Sequence, residues 1–318
     1  MPNIQSILTS FIALALCYNV SGKDDKTTAP IVVTKGGEVT YNADERGNRV
    51  LDFSFCGYRQ QTDSIPDLPA KIYVEWQEGD QSERLQNAID YVSSLKPDKR
   101  TGMRGAVLVG EGTFTLSRPL RIAASGVVLR GAGRHSTILK TTGVERGAVV
   151  YIEGKNDLCI TDTLRVTSPY VPVNSRILSL QGGKTLRPGT RLIIVRPSTK
   201  EWIAGIGCSV FGGSLPYWGW KAGEMDVRWM RNVASATADG TSDGIQKIEI
   251  DAPLTVALDT EQGGAYALTY EWKGRIHDSG VENLTIHSTA LSSTDENHPW
   301  DGVYIDAAED CWVRRTDF

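Results

Sequence analysis

The chain has 318 residues, 40% hydrophobic and 23% charged, enough apolar content to bury a substantial core in one domain or two. Its 34 Lys and Arg against 38 Asp and Glu leave a net charge of −4. There is no global basic field to hold nucleic acid or an anionic membrane surface, so those partners are set aside.

Residues 1–22 read as a secretory signal peptide. Ile7–Tyr18 is an apolar run too short to span a bilayer, and Val20-Ser21-Gly22 is a small-residue cleavage pattern. Cys17, behind Leu14-Ala15-Leu16, adds lipid anchoring at the cell surface as an alternative. The expected location is secreted or periplasmic, and no transmembrane helix is expected. Residues 23–79 are a linker and N-terminal segment with strand-like Ile31–Thr34 and Ile72–Val74. Cys56, Cys159, Cys208 and Cys311 contain no CxxC pair, which argues against zinc. Three disulfide pairings are open to them, and separate packed thiols are the simpler reading.

Asp80–Leu95 is the one clear helix. Asp80 and Glu83 form a capping-box pattern, and Leu85, Ala88, Ile89 and Val92 share one face. Short strands follow at once: Val107–Val109, Phe114–Leu116 and Val127–Leu129, punctuated by Gly110, Gly112, Gly126, Gly131 and Gly133. This cadence suits a coiled solenoid, a sandwich or a propeller. A solenoid exposes its core at an open end, and an amphipathic helix just before the first coil would cover it.

The runs QNAID, GAVLVGEGTFTLSRPLRI and SGVVLRGAGRHSTIL, between about Gln81 and Leu139, resemble the start of pectate-lyase-superfamily proteins. GVENLTIH (Gly280–His287) and GVYIDAAEDCWVRRTDF (Gly302–Phe318) resemble later coil strands of that superfamily. DFSFCGY (Asp52–Tyr58) resembles the opening of its secreted bacterial members. The resemblance implies an all-β fold, a right-handed parallel β-helix or β-solenoid with an N-terminal helical cap, acting on polysaccharides. The cap and first coils then occupy 80–169. Residues 170–274 are a β-rich insertion, with strand-like Arg191–Val195, Ile248–Ile250 and Tyr266–Tyr270, and the coils resume over 275–318. The chain stops at Phe318 in strand-like sequence, so the stack is expected either to continue in a longer protein, the favoured reading, or to depend on a partner.

The densest chemistry is Asp295-Glu296-Asn297-His298-Pro299-Trp300-Asp301, followed by Asp306, Glu309, Asp310 and Arg314. Equivalent positions on adjacent coils lie about 4.8 Å apart, so acids distant in sequence can meet. For a uronate lyase, Asp295, Glu296 and Asp306 are the candidate Ca²⁺ ligands, and His298, Asp301 and Arg314 the candidate catalytic groups. For a glycoside hydrolase, Asp301 and Asp306 are the nominal carboxylate pair. The insertion carries Trp202, Phe211, Tyr217, Trp218, Trp220, Trp229 and Trp272, rings that stack on sugars or form the lobe's own core. Trp218, Trp220, Arg228 and Trp300 are the candidate substrate contacts. The expected function is β-elimination of an acidic, uronate-containing polysaccharide. Hydrolysis and non-catalytic carbohydrate binding are the alternatives.

Overall fold

A computed structural model describes residues 29–142, 145–212, 218–238 and 244–318. The expected signal peptide with Cys17, and Tyr217, lie outside those residues. The chain divides into two units after Val50. In the first, β1 (Ile31–Val33) and β2 (Val39–Tyr41) form an antiparallel hairpin. The Asp44 carboxylate closes the next turn by accepting the Arg46 and Asn48 backbone N–H groups.

The second unit begins with an irregular segment, then β3 (Ala70–Val74) and helix α1 (Ser82–Ser94). Leu85, Ala88, Ile89 and Val92 of α1 are buried, the stripe expected from their spacing. The capping box does not form. Gln81 stands at the N-cap without a side-chain bond there, and the Asp80 carboxylate binds Ser82 and Ser117 instead. Because Ser117 belongs to the first coil, Asp80 ties the helix start to the structure it covers.

The next strands stack in parallel. β4 (Gly105–Val109), β5 (Gly112–Leu116) and β6 (Leu120–Ile122) form one circuit of chain. β7 (Val127–Gly131), β8 (Thr137–Thr141) and β9 (Ala148–Glu153) form the next, with Val107 on Leu129, Phe114 on Leu139 and Leu120 on Val150. Val127, Val128 and Leu129 are all fully buried. Val127 and Leu129 face the shared core, while Val128 packs outside it with Ala106, Leu68, Met103 and Trp312. A parallel strand covered on both faces loses the alternation of a half-exposed one, which is why this run reads as continuously apolar.

The chain then leaves the stack. It forms β10 (Cys159–Val166), β11 (Tyr170–Val171), β12 (Ile177–Gln181), β13 (Arg191–Arg196) and the short helix α2 (Lys200–Gly205). β14 (Val227–Ala238), β15 (Ile245–Ile250), β16 (Leu258–Asp259) and β17 (Tyr266–Glu271) follow. Six of these close an antiparallel barrel in the order β10-β12-β15-β14-β13-β17, with its own core around Leu178, Ile194, Val233 and Ile248. Closure leaves this lobe no free sheet edge within the barrel.

Stacking resumes with β18 (Ile276–His277), β19 (Gly280–His287), β20 (Asp301–Asp306), β21 (Ala308–Glu309) and β22 (Trp312–Asp317). The first half of β19 lies on β7 and the second half on β8. β20 lies on β9, β21 on β18 and β22 on β19. Gly280 lets the Trp312 indole press against its backbone, where any side chain would collide. At one corner Gly126, Asp278 and Asp310 hold equivalent registers, and all three are left-handed, with φ of 74°, 56° and 51°. The architecture is therefore all-β, a solenoid-like parallel stack with one covering helix and an inserted closed barrel. The four described cysteines are free thiols.

Candidate functional site

The Asp278/Asp310 corner faces the barrel, and the segment 57–62 fills part of the space between them. Arg59, Gln60 and Gln61 are three successive non-glycine residues with φ of 45°, 54° and 61°. Left-handed backbone costs such residues about 1 kcal/mol or more each, so the surrounding contacts must hold it. Arg59 donates from one guanidinium nitrogen to both Asp278 oxygens at 3.1 and 3.0 Å. Its backbone N–H donates to Asp310 Oδ1 at 3.2 Å. Gln60 Nε2 donates to Asp251 Oδ2 at 2.9 Å. One strained turn thus holds a carboxylate on each side.

Arg59, Gln60, Asp251 and Asp310 line a cleft of about 330 Å³ between stack and barrel. On the barrel wall, Asp251 follows β15, and Asn232 Nδ2 also donates to its Oδ2, at 2.7 Å. Asp251 Oδ1 is buried with no hydrogen-bond partner. Leaving a buried carboxylate oxygen without a partner carries a desolvation cost. On the stack wall, Glu309 is held from both sides, by Arg191 at 2.7 Å and Arg275 at 3.0 Å. Burial pushes the Asp310 carboxyl above the usual carboxylate range. The Arg59 N–H opposes that shift, and the neighbouring Glu309 and Asp278 charges reinforce it.

Asp278 behaves oppositely. Burial alone would raise it, but hydrogen bonds from His277, Tyr58 and Arg59 bring it down to about 2. His277 is correspondingly raised by its bond to Asp278, against the effect of burial. Two carboxyls on successive coils are thereby pushed apart, one fixed as an anion and one favoured as an acid.

The sequence-predicted residues fall elsewhere. Both Asp295 oxygens accept backbone N–H groups, from Leu291 and Asn297, so it acts as a turn residue. Glu296 lies 3.4 Å from Arg146. His298 Nδ1 is 2.9 Å from Ser288 Oγ, whose hydroxyl is also 2.6 Å from the Pro299 carbonyl. Asp301 and Asp306 are five residues apart on β20 and point to opposite faces, about 16 Å apart along the strand. That geometry overturns them as a hydrolytic pair. Arg314 pairs with the fully buried Glu282, which also binds Arg130 and the Trp312 indole N–H. It lies in a structural ion cluster and does not line the cleft.

Ca²⁺ takes six to eight oxygen ligands, and Asp295, Glu296 and Asp306 do not supply a fitting set. The first spends its oxygens on the backbone and the second faces a guanidinium. Asp306 stands on the outward face of β20, in register with Glu153. Among the described residues no three His, Cys, Asp or Glu side chains converge on a metal position. Trp220 stacks on Trp202 and meets Phe211 edge-on, an aromatic cluster that is partly open to solvent. Trp218 is exposed, and Arg228 lies 3.9 Å from Asp226. Trp300 is exposed beside Arg146, away from the cleft.

Asp251 and Gln60, 191 positions apart, gave no local signal. Asp278 and Asp310 did leave one: HDSGVENLTIH and EDCWVRRTDF align at the 32-residue spacing of the coils.

No family model matches the chain, and no curated protein matches it significantly. Among solved structures it is similar to the Pseudomonas phage phi297 tailspike gp61, at 14% identity and a TM-score of 0.37, over 73% of this chain and 30% of that one. It is also similar to the Gp54 tailspike of Acinetobacter baumannii bacteriophage AP22, solved in complex with A. baumannii capsular saccharide. There the identity is 11% and the TM-score 0.31, over 75% of this chain and 33% of that one. The chain thus spans about a third of the length of either tailspike, and at these TM-scores neither supplies a residue assignment.

Proposed function

We propose that the protein hydrolyses a glycosidic bond in the cleft between stack and barrel. The observation that carries this reading is the Asp251/Asp310 pair lining one cavity, one carboxylate with a bare buried oxygen and the other pushed toward holding its proton. Asp310 gives its proton to the departing glycosidic oxygen. Asp251, which lines the cleft from the barrel wall, acts as a base on water or as a nucleophile at the anomeric carbon. Gln60 and Asn232 fix the position of Asp251 by donating to its Oδ2.

β-Elimination is less well served. Burial raises the Tyr270 phenol, which keeps it protonated and so unavailable as a base, and Arg275 is tied to Glu309 and the Ala308 carbonyl. The cleft guanidiniums are also committed within the protein: Arg59 to Asp278 and Asp63, and Arg231 to three backbone carbonyls. Among the described residues no uncommitted cation lines the cleft to receive a uronate carboxylate, so the sugar at the cleavage point is neutral in this reading. The stack is then a right-handed parallel β-helix, following the handedness of parallel crossovers, and the protein acts outside the cell on polysaccharide.

The test is a screen of neutral and acidic polysaccharides followed by two readouts, reducing ends and the ultraviolet absorbance of unsaturated products. New reducing ends without that absorbance are expected. Absorbance accompanying cleavage would establish elimination instead, and neither signal on any polymer would leave a binding protein.

A further inference from the structure

We propose a second, non-catalytic glycan-binding groove on the outward face of the sheet β6-β9-β20, taking an uncharged or charge-balanced polysaccharide chain. It rests on the reading of this protein as glycan-acting but not on the chemistry of the cleft. The residues at register Arg121, Tyr151 and Tyr304 stand on three successive strands, about 4.8 Å per step. Tyr151 and Tyr304 meet at 5.6 Å between ring centres, and the Arg121 guanidinium lies 4.2 Å over the Tyr151 ring. Beside this column runs a trough of about 630 Å³, continuous with a hollow of about 100 Å³ through Arg118, Pro119, Arg121 and Glu145.

Trp300 flanks the hollow, whose lining includes Arg146 and Pro299. The indole is 58% exposed and fixed from both ends: its N–H donates to the Glu296 carbonyl at 2.9 Å, and Arg146 covers it at 4.8 Å. A large ring held still but left open to solvent is a prepaid stacking platform for the C–H face of a sugar. The charges select the ligand. Arg121 pairs with Glu153 and Arg146 with Glu296, while Arg118 and Glu145 have no ion-pair partner among the described residues. Positive and negative groups balance along the groove, which disfavours a polyanion such as nucleic acid. A guanidinium and a carboxylate that line one trough without an ion pair suit donation to and acceptance from sugar hydroxyls.

Affinity gel electrophoresis in xylan, dextran and polygalacturonate tests this with the full chain. The variants are Asp310→Asn, Trp300→Ala/Tyr304→Ala and, where the hollow meets the trough, Arg118→Ala. Retardation of wild type and of Asp310→Asn by xylan or dextran is expected, weakened about threefold to tenfold in the aromatic double variant and also reduced in Arg118→Ala. Turnover of short soluble oligosaccharides should stay unchanged in these groove variants. Failure of hydrolysis alone would remove the proposed cleft function and leave the groove standing. Equal retardation of all variants, no retardation of wild type, binding to polygalacturonate alone, or loss in Asp310→Asn would overturn the groove.

Discussion

Arg314 is where a catalytic and a structural reading of one residue part most sharply. Its side chain joins Arg130 and the Trp312 indole on Glu282, a carboxylate with no solvent exposure between guanidiniums 15% and 25% exposed. Burial alone would raise Glu282, but hydrogen bonds from Arg314, Arg130 and Trp312 hold it below the ordinary range. Glu282→Gln takes the shared anion from two largely buried guanidiniums, leaving Arg130 only the exposed Asp67 at 2.7 Å, and breaking a buried pair in this way costs about 3–5 kcal/mol. For a unit of this size that lowers Tm by roughly 6–20 °C. Arg130→Met should cost more than Arg314→Met, because Arg130 is the more buried and also binds the Leu68 carbonyl. Scanning calorimetry at neutral pH gives the stabilities, and specific activity well below each Tm gives the chemistry. Lower Tm with activity retained in every variant is the expected pattern. An Arg314→Met protein with wild-type Tm and no activity would refute the structural assignment.

Asp278 contributes stability that is present above its unfolded value of 3.8 and lost as pH falls toward 2, on the order of 2 kcal/mol. Asp278→Asn should therefore flatten the stability curve between those pH values, as read by denaturant titration. Because Asp310 must hold its proton and burial raises it, activity should fall on the alkaline side at a pH above the ordinary carboxylate range. A pH–rate profile with no alkaline limb near that range would remove Asp310 as the acid. Phe114 is fully buried in the core beneath α1, so Phe114→Ala should cost about 3–5 kcal/mol in chemical denaturation.

Local physics made much of the fold legible. The α1 stripe and the strands at Val107, Phe114 and Val127 follow from spacing and glycine punctuation, because each is decided within a few residues. Asp80 shows the limit: its carboxylate was readable as a helix-start group, but its partner Ser117 comes from the coil 37 positions on. The inserted lobe was readable as β-rich, whereas its closure depends on β10 pairing with β17 across about a hundred residues. The 295–301 loop drew attention because its polar residues are adjacent in sequence. Asp251, Gln60 and Asp310 are joined only by the return of the chain from barrel to stack.

The most direct test of the cleft as an active site is the kinetics of wild type, Asp310→Asn and Asp251→Asn on a polymer that wild type cleaves. Folding is checked by circular dichroism, and binding is followed separately in the gel. The account predicts a fall in kcat of about a hundredfold or more for each variant, with folding and polymer binding intact. Turnover within a few-fold of wild type in both variants would contradict it.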